Sequence, residues 1–135
     1  MILLGCKKTA EVKMDLTCPI SARKGYDAKL VGKWKLVKSE SVFMNRNAED
    51  YSCNKIIYDF RSDGTLVITS DIDKYIGSKP GTYQYKFTKT SLYEGGSQSY
   101  MLQVNQRSVA CGISEGVMNL DDSPVDGPIL YLVRL

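Results

Sequence analysis

The sequence predicts an all-β domain, an eight-stranded up-and-down antiparallel barrel, with a two-sheet sandwich as the alternative. Three observations carry this. Lys55 to Ser70, KIIYDFRSDGTLVITS, sets two β-rich runs either side of Asp63-Gly64. Asp-Gly in that setting is the strongest short-range hairpin signal, because Gly takes φ > 0 without penalty. Gly81 to Thr88, GTYQYKFT, alternates aromatic with polar residues, as in a strand with one wet face. The remainder repeats short β-branched or aromatic runs parted by turn residues, with no helix of useful length.

In chain order, Met1 to Cys6 reads MILLGC. Leu3-Leu4-Gly5-Cys6 resembles the lipobox of bacterial lipoproteins, with an apolar residue three before the cysteine and a small one directly before it. The resemblance implies cleavage before Cys6 and lipid on its thiol and new amino terminus. It also implies a cell-envelope address, at the outer membrane facing the periplasm, since Lys7-Lys8 provide no acidic export run. Residues 7–29 mix charges, Pro and Gly with single apolar residues and hold no period. They read as a flexible tether spanning on the order of 25 Å, or as a segment that docks through Val12, Met14 and Leu16. Residues 1–29 are thus a truncated signal with its tether, and 30–135 the folded domain.

Leu30 to Lys38 opens the domain, with Trp34 and Leu36 on one face and Lys33 and Lys35 on the other. A Trp on the inner face of a first strand plugs one end of a small barrel, and its N–H needs one partner. Residues 44–54 are polar and Asn-rich, a loop before the hairpin, and 71–80 form another before the Gly81 strand. Strands follow at Ser99 to Val104, Arg107 to Cys111, Val117 to Leu120 and Ile129 to Leu135, with turns between. The count is eight, enough to close a barrel whose interior takes its own side chains or one small ligand.

The domain resembles the lipocalin-like domains of small bacterial lipoproteins. The likeness rests on Gly32-Lys33-Trp34, a G-x-W at the start of strand one, then S-D-G-T in the hairpin, G-T-Y-x-Y, and a closing D-G-P-I-L-Y-L-V-R. It implies a barrel that binds a small hydrophobic or amphipathic molecule. Inward aromatics are the candidate contacts: Trp34, Tyr58, Phe60, Tyr83, Tyr85, Phe87, Tyr100 and Tyr131. The alternative is a structural or protein-interaction lipoprotein whose barrel is filled by its own side chains.

Composition narrows the chemistry. The chain has no histidine, which removes Ser-His-Asp and Cys-His catalysis and His-based zinc sites. A net charge of +3, scattered along the chain, offers no nucleic-acid footprint. Gly112 to Gly116 fits G-x-S-x-G, but the nucleophile elbow needs a following helix and a histidine base, so this is a hairpin turn. Asp71 and Asp73, and Asp121, Asp122 and Asp126, sit among turn formers and read as turn chemistry rather than a calcium site. The chain is read as non-enzymatic, without cofactor or metal.

With Cys6 acylated, Cys18, Cys53 and Cys111 leave one bridge and one free thiol. Strand parity puts Cys18, just before strand one, and Cys111, ending the sixth strand, at one end of the barrel. Cys53 then lies a strand length away, roughly 17–20 Å. A bridge needs Cα atoms within about 7 Å, so Cys18–Cys111 is the expected pair. Without the sixth strand, Cys53–Cys111 takes its place.

Overall fold

The computed structural model describes residues 9–11, 14–23, 29–41, 48–90 and 100–135. Its strands are β1 (Thr9–Glu11), β2 (Ser21–Arg23), β3 (Gly32–Ser41), β4 (Ala48–Asp50), β5 (Ile56–Phe60) and β6 (Thr65–Ser70). They continue as β7 (Gly81–Lys89), β8 (Tyr100–Val104), β9 (Arg107–Ser114), β10 (Val117–Asp121) and β11 (Pro128–Arg134), with a 3-10 turn at Ser123–Val125. Cys6 lies outside the described residues.

From β5 to β11 each strand pairs antiparallel with the next, and β11 returns to β3 with Leu132 opposite Leu36 and Arg134 opposite Trp34. β4 pairs with β3 further along than β5 does, so it extends the line of β5 rather than adding a stave. Eight strands therefore complete a closed up-and-down barrel, as the sequence predicts, and the sandwich alternative falls away. The loop expected over 44–54 contains β4, a short strand of three exposed residues.

The organising hairpin forms as its residues dictate. Arg61 N–H donates to Thr65 C=O (2.8 Å) and Gly64 N–H to Arg61 C=O (3.1 Å). The Asp63 carboxylate accepts Thr65 N–H at 3.0 Å, while Gly64 sits at φ 90°. In β7, Tyr83, Tyr85 and Phe87 pack against the core while Thr82, Gln84 and Lys86 are exposed, the expected register. The turn at the base of β9 is narrower than expected. Gly112 lies within the strand, and Glu115 (φ 56°) and Gly116 (φ 77°) alone make the reversal, both in the left-handed region as a type I′ turn requires.

Trp34, Leu36, Ile56, Tyr58, Phe60, Leu66 and Leu102 are completely or almost completely buried inside the barrel, with Met118 and Leu132 facing them. A second, smaller cluster sits on the outside. A register shift between Tyr131 and Leu132 leaves Val37 as an extra residue on β3, and such a bulge turns a side chain to the other face. Val37 and Val133 are buried there beneath Ala22, with Met14, Leu16, Ile20 and Tyr131 around them. Part of the segment expected as a tether thus docks on the barrel wall, Met14 and Leu16 included, while Val12 lies outside the described residues.

The disulfide joins Cys18 to Cys53, with Cα atoms 5.3 Å apart, and Cys111 is a buried free thiol. The expected Cys18–Cys111 pair is wrong, but the strand count is right, since β9 is the sixth stave. The error lies in placing Cys18 at the base of strand one. Thr17 N–H donates to Asp50 Oδ2 (2.7 Å) and Cys18 N–H to Ser52 Oγ (2.9 Å), which fixes Cys18 near the far end of β3. Arg23 already lies at the base, its carbonyl against Gly116. At about 3.3 Å per residue, the stretch from Cys18 to Gly32 can cover a strand's length with room to spare. Cys111 points inward among Tyr100 and Leu120, on the opposite side of the wall from Cys18.

Candidate functional site

One end of the barrel is dressed by the segment from Asp71 to Pro80, and tyrosine hydroxyls hold it. Ile76 N–H donates to Tyr51 Oη (2.8 Å) and Ser78 N–H to Tyr58 Oη (3.1 Å). In return, Tyr75 O–H donates to Ser78 C=O and Tyr83 O–H to Lys79 C=O, both at 2.6 Å. At the root of the loop, Asp71 Oδ1 accepts Lys55 N–H at 2.8 Å and Ser70 Oγ accepts Ile72 N–H at 3.0 Å. Four of the nine tyrosines therefore serve this segment, each ring packed against the core while its hydroxyl bonds loop backbone. Gly77 is required by contact: a Cβ there would stand 2.9 Å from Tyr58 Oη, and its φ of +147° disfavours other residues.

Behind this segment lies a cavity of about 370 Å³. Leu102, Val104, Val109, Leu120, Leu130 and Pro128 form its apolar wall, Tyr58 and Tyr83 face them, and Gly77, Ser78 and Asn105 lie at the opening. Arg107 and Asp122 also line it and form an ion pair with each other across the mouth. Asn105 Oδ1 is taken by Gln84 N–H at 3.0 Å. Tyr58 is only 2% exposed, and burial pushes its phenol up to about 12, so the group is a neutral hydroxyl throughout the ordinary pH range. A space of this size, with apolar walls and few polar groups, suits a small organic molecule.

Of the eight aromatic candidates, the structure brings Tyr58 and Tyr83 to the cavity. Trp34 and Phe60 are fully buried and pack the other end. Trp34 Nε1–H donates to Leu30 C=O at 2.8 Å, the single partner expected, and Phe60 meets Tyr85 edge-on at 5.1 Å. Tyr85 and Phe87 border a shallower, open-sided depression of about 540 Å³ with Lys29, Leu30 and Val31. Tyr100 stacks on Phe87 at 4.6 Å. That second hollow is larger but does not enclose its contents, so the 370 Å³ cavity is the better candidate. Tyr131 is corrected outright: it faces outward, its ring in the Val37–Val133 cluster and its O–H donating to Glu40 Oε1 at 3.2 Å.

Sequence reasoning missed most of the wall. The sequence pattern places Leu102, Val104, Leu120 and Leu130 on strands without fixing their face, although the parity of 100, 102 and 104 and of 118 and 120 carries that information. Arg107 and Asp122 are separated by a whole hairpin and show no local signal. Among family models, curated proteins and solved structures, none matches this chain.

Proposed function

We propose that the chain is an envelope-anchored, lipocalin-like lipoprotein that holds a small hydrophobic or amphipathic molecule in its barrel and carries out no chemistry on it. The observation that supports this best is the cavity of about 370 Å³ walled by Leu102, Val104, Val109, Leu120 and Leu130. Space of this kind favours a ligand over the rival reading of a barrel filled by its own side chains. The Cys18–Cys53 disulfide suits an oxidising envelope compartment. The lipid anchor rests on Leu3-Leu4-Gly5-Cys6. Thr9 pairs with Arg23 beside Gly116, at the end away from the mouth. Lipid on Cys6 would then leave the cavity opening away from the bilayer.

Native mass spectrometry of the protein purified from its own host tests this reading. A bound small molecule is expected on the parent and absent from Val109→Trp, which fills the cavity from its wall. A parent that carries nothing, and binds no apolar probe when refolded without ligand, would overturn it.

A further inference from the structure

The polar groups of the cavity constrain what it can hold. Tyr75 and Tyr83 donate their O–H groups to loop carbonyls, so neither has a proton to offer a ligand. Tyr58 differs. Its oxygen accepts the Ser78 N–H at 3.1 Å and also takes the Ser78 hydroxyl as a donor, and with the serine O–H donating, no acceptor for the phenol's own proton is found among the described residues. A phenol carries one donor besides its acceptor lone pairs. That donor sits in a side chain 2% exposed, beside Gly77 and Ser78, facing walls of Leu102, Leu120 and Leu130.

Charge decides the rest. Among the described residues lining the cavity, the ionic side chains are Arg107 and Asp122, and they neutralise each other. A ligand anion carried to Tyr58 would meet no cation, and burying an unpaired carboxylate is strongly unfavourable. An anion held at the mouth would meet the Asp122 carboxylate beside the Arg107 guanidinium. The cavity therefore offers one neutral donor at depth and no net charge at the rim.

We propose that the ligand is a neutral, largely apolar molecule with an oxygen acceptor, such as a ketone, ester or quinone-type carbonyl, which enters first and takes the Tyr58 O–H. This rests on the reading of the cavity as a ligand site and names the ligand class for it. The carbonyl oxygen takes the place that the Tyr58 proton lacks, while the hydrocarbon portion covers the leucine and valine wall. Size sets a further limit, because about 370 Å³ lies near the lower end of organic ligand sites.

Three probes of one shape test it: 2-acetylnaphthalene, 2-ethylnaphthalene and 2-naphthoate, titrated into the full chain and followed by methyl-resolved NMR. The ketone is expected to bind roughly three- to tenfold more tightly than the hydrocarbon, as one buried neutral hydrogen bond provides, and the carboxylate most weakly. In Tyr58→Phe the ketone and hydrocarbon should become equal, whereas Ser78→Ala should keep the preference. An infrared reading on the parent protects the test should Tyr58→Phe fail to fold: the bound ketone C=O stretch should fall below its value in hexane. Equal affinity for ketone and hydrocarbon, tightest binding of the carboxylate, or an unshifted C=O stretch would overturn the ligand class and leave the cavity reading intact. No binding of any probe would overturn the cavity reading itself.

Discussion

The guanidinium of Arg134 lies over the ring of Trp34, 4.4 Å from its centroid, joining the last strand of the barrel to the first. The two residues are register partners on β11 and β3. Both are buried, and Arg134 Nη1–H also donates to Lys29 C=O at 3.0 Å. Stacking cation on aromatic thus closes the seam and caps the end of the barrel opposite the cavity. A desolvated cation–π pair contributes about 2 kcal/mol. Arg134→Ala should therefore lose at least about 2 kcal/mol in denaturant unfolding. Arg134→Lys should recover little of it, because an ammonium lacks the planar face that stacks.

The hairpin turn gives a second prediction. Gly64 is at φ 90°, and its carbonyl accepts Tyr85 N–H at 2.9 Å, so the turn also ties β6 to β7. Gly64→Val should cost about 1–3 kcal/mol through backbone strain alone, since the nearest atom to its Cβ position, the Tyr85 carbonyl oxygen, is at an ordinary contact distance of 3.9 Å. A thermal midpoint within a degree or two of the parent would show that the turn tolerates a side chain.

How far the sequence could be read depended on whether a strand had one wet face. β7 shows its register openly because Thr82, Gln84 and Lys86 meet water, and Asp63-Gly64 announces its turn through chemistry that acts within four residues. β11 hides its register. Ile129 to Val133 is an unbroken apolar run, and the structure explains it: Leu130 and Leu132 face the core while Tyr131 and Val133 lie under the docked N-terminal segment. With both faces covered, no alternation remains to set the outward face of Tyr131 apart from an inward one. Cys18 failed for a related reason, because its position depends on where a segment without regular pattern docks. The cavity is still less local, as its volume comes from Val104, Val109, Leu120 and Leu130 on four different strands and from the absence of a side chain at Gly77.

The disulfide assignment is directly testable. Peptide mapping under non-reducing conditions should recover Cys18 linked to Cys53. Cys111 should react with iodoacetamide only after unfolding, since burial pushes its thiol up to about 12. With a sequence separation of 35, the chain-entropy relation assigns the bridge about 4 kcal/mol. The Cys18→Ser/Cys53→Ser pair should lose a comparable amount in equilibrium unfolding.

Acid should loosen the same clasp. Burial acts to raise the Asp50 carboxyl, but hydrogen bonds from Ser52 Oγ–H (2.6 Å), Ser52 N–H (2.8 Å) and Thr17 N–H (2.7 Å) outweigh it and hold the group at about 2, below its ordinary 3.8. A carboxyl depressed on folding stabilises the fold above its unfolded value and loses that contribution as pH falls through its folded one. Stability should therefore fall between about pH 4 and pH 2, and Asp50→Asn should flatten this part of the curve. A profile identical in parent and variant would show that Asp50 contributes nothing to holding the segment.

The proposed uptake of a small apolar molecule into the space between the barrel wall and the 71–80 segment has a direct readout. Methyl-resolved NMR during a titration with 2-acetylnaphthalene reads this residue by residue. Shifts should concentrate at Leu102, Val104, Val109, Leu120 and Leu130 and saturate with a single stoichiometric site. Shifts confined to Leu30 and Val31 at the opposite end, or none at any of these methyls, would contradict it.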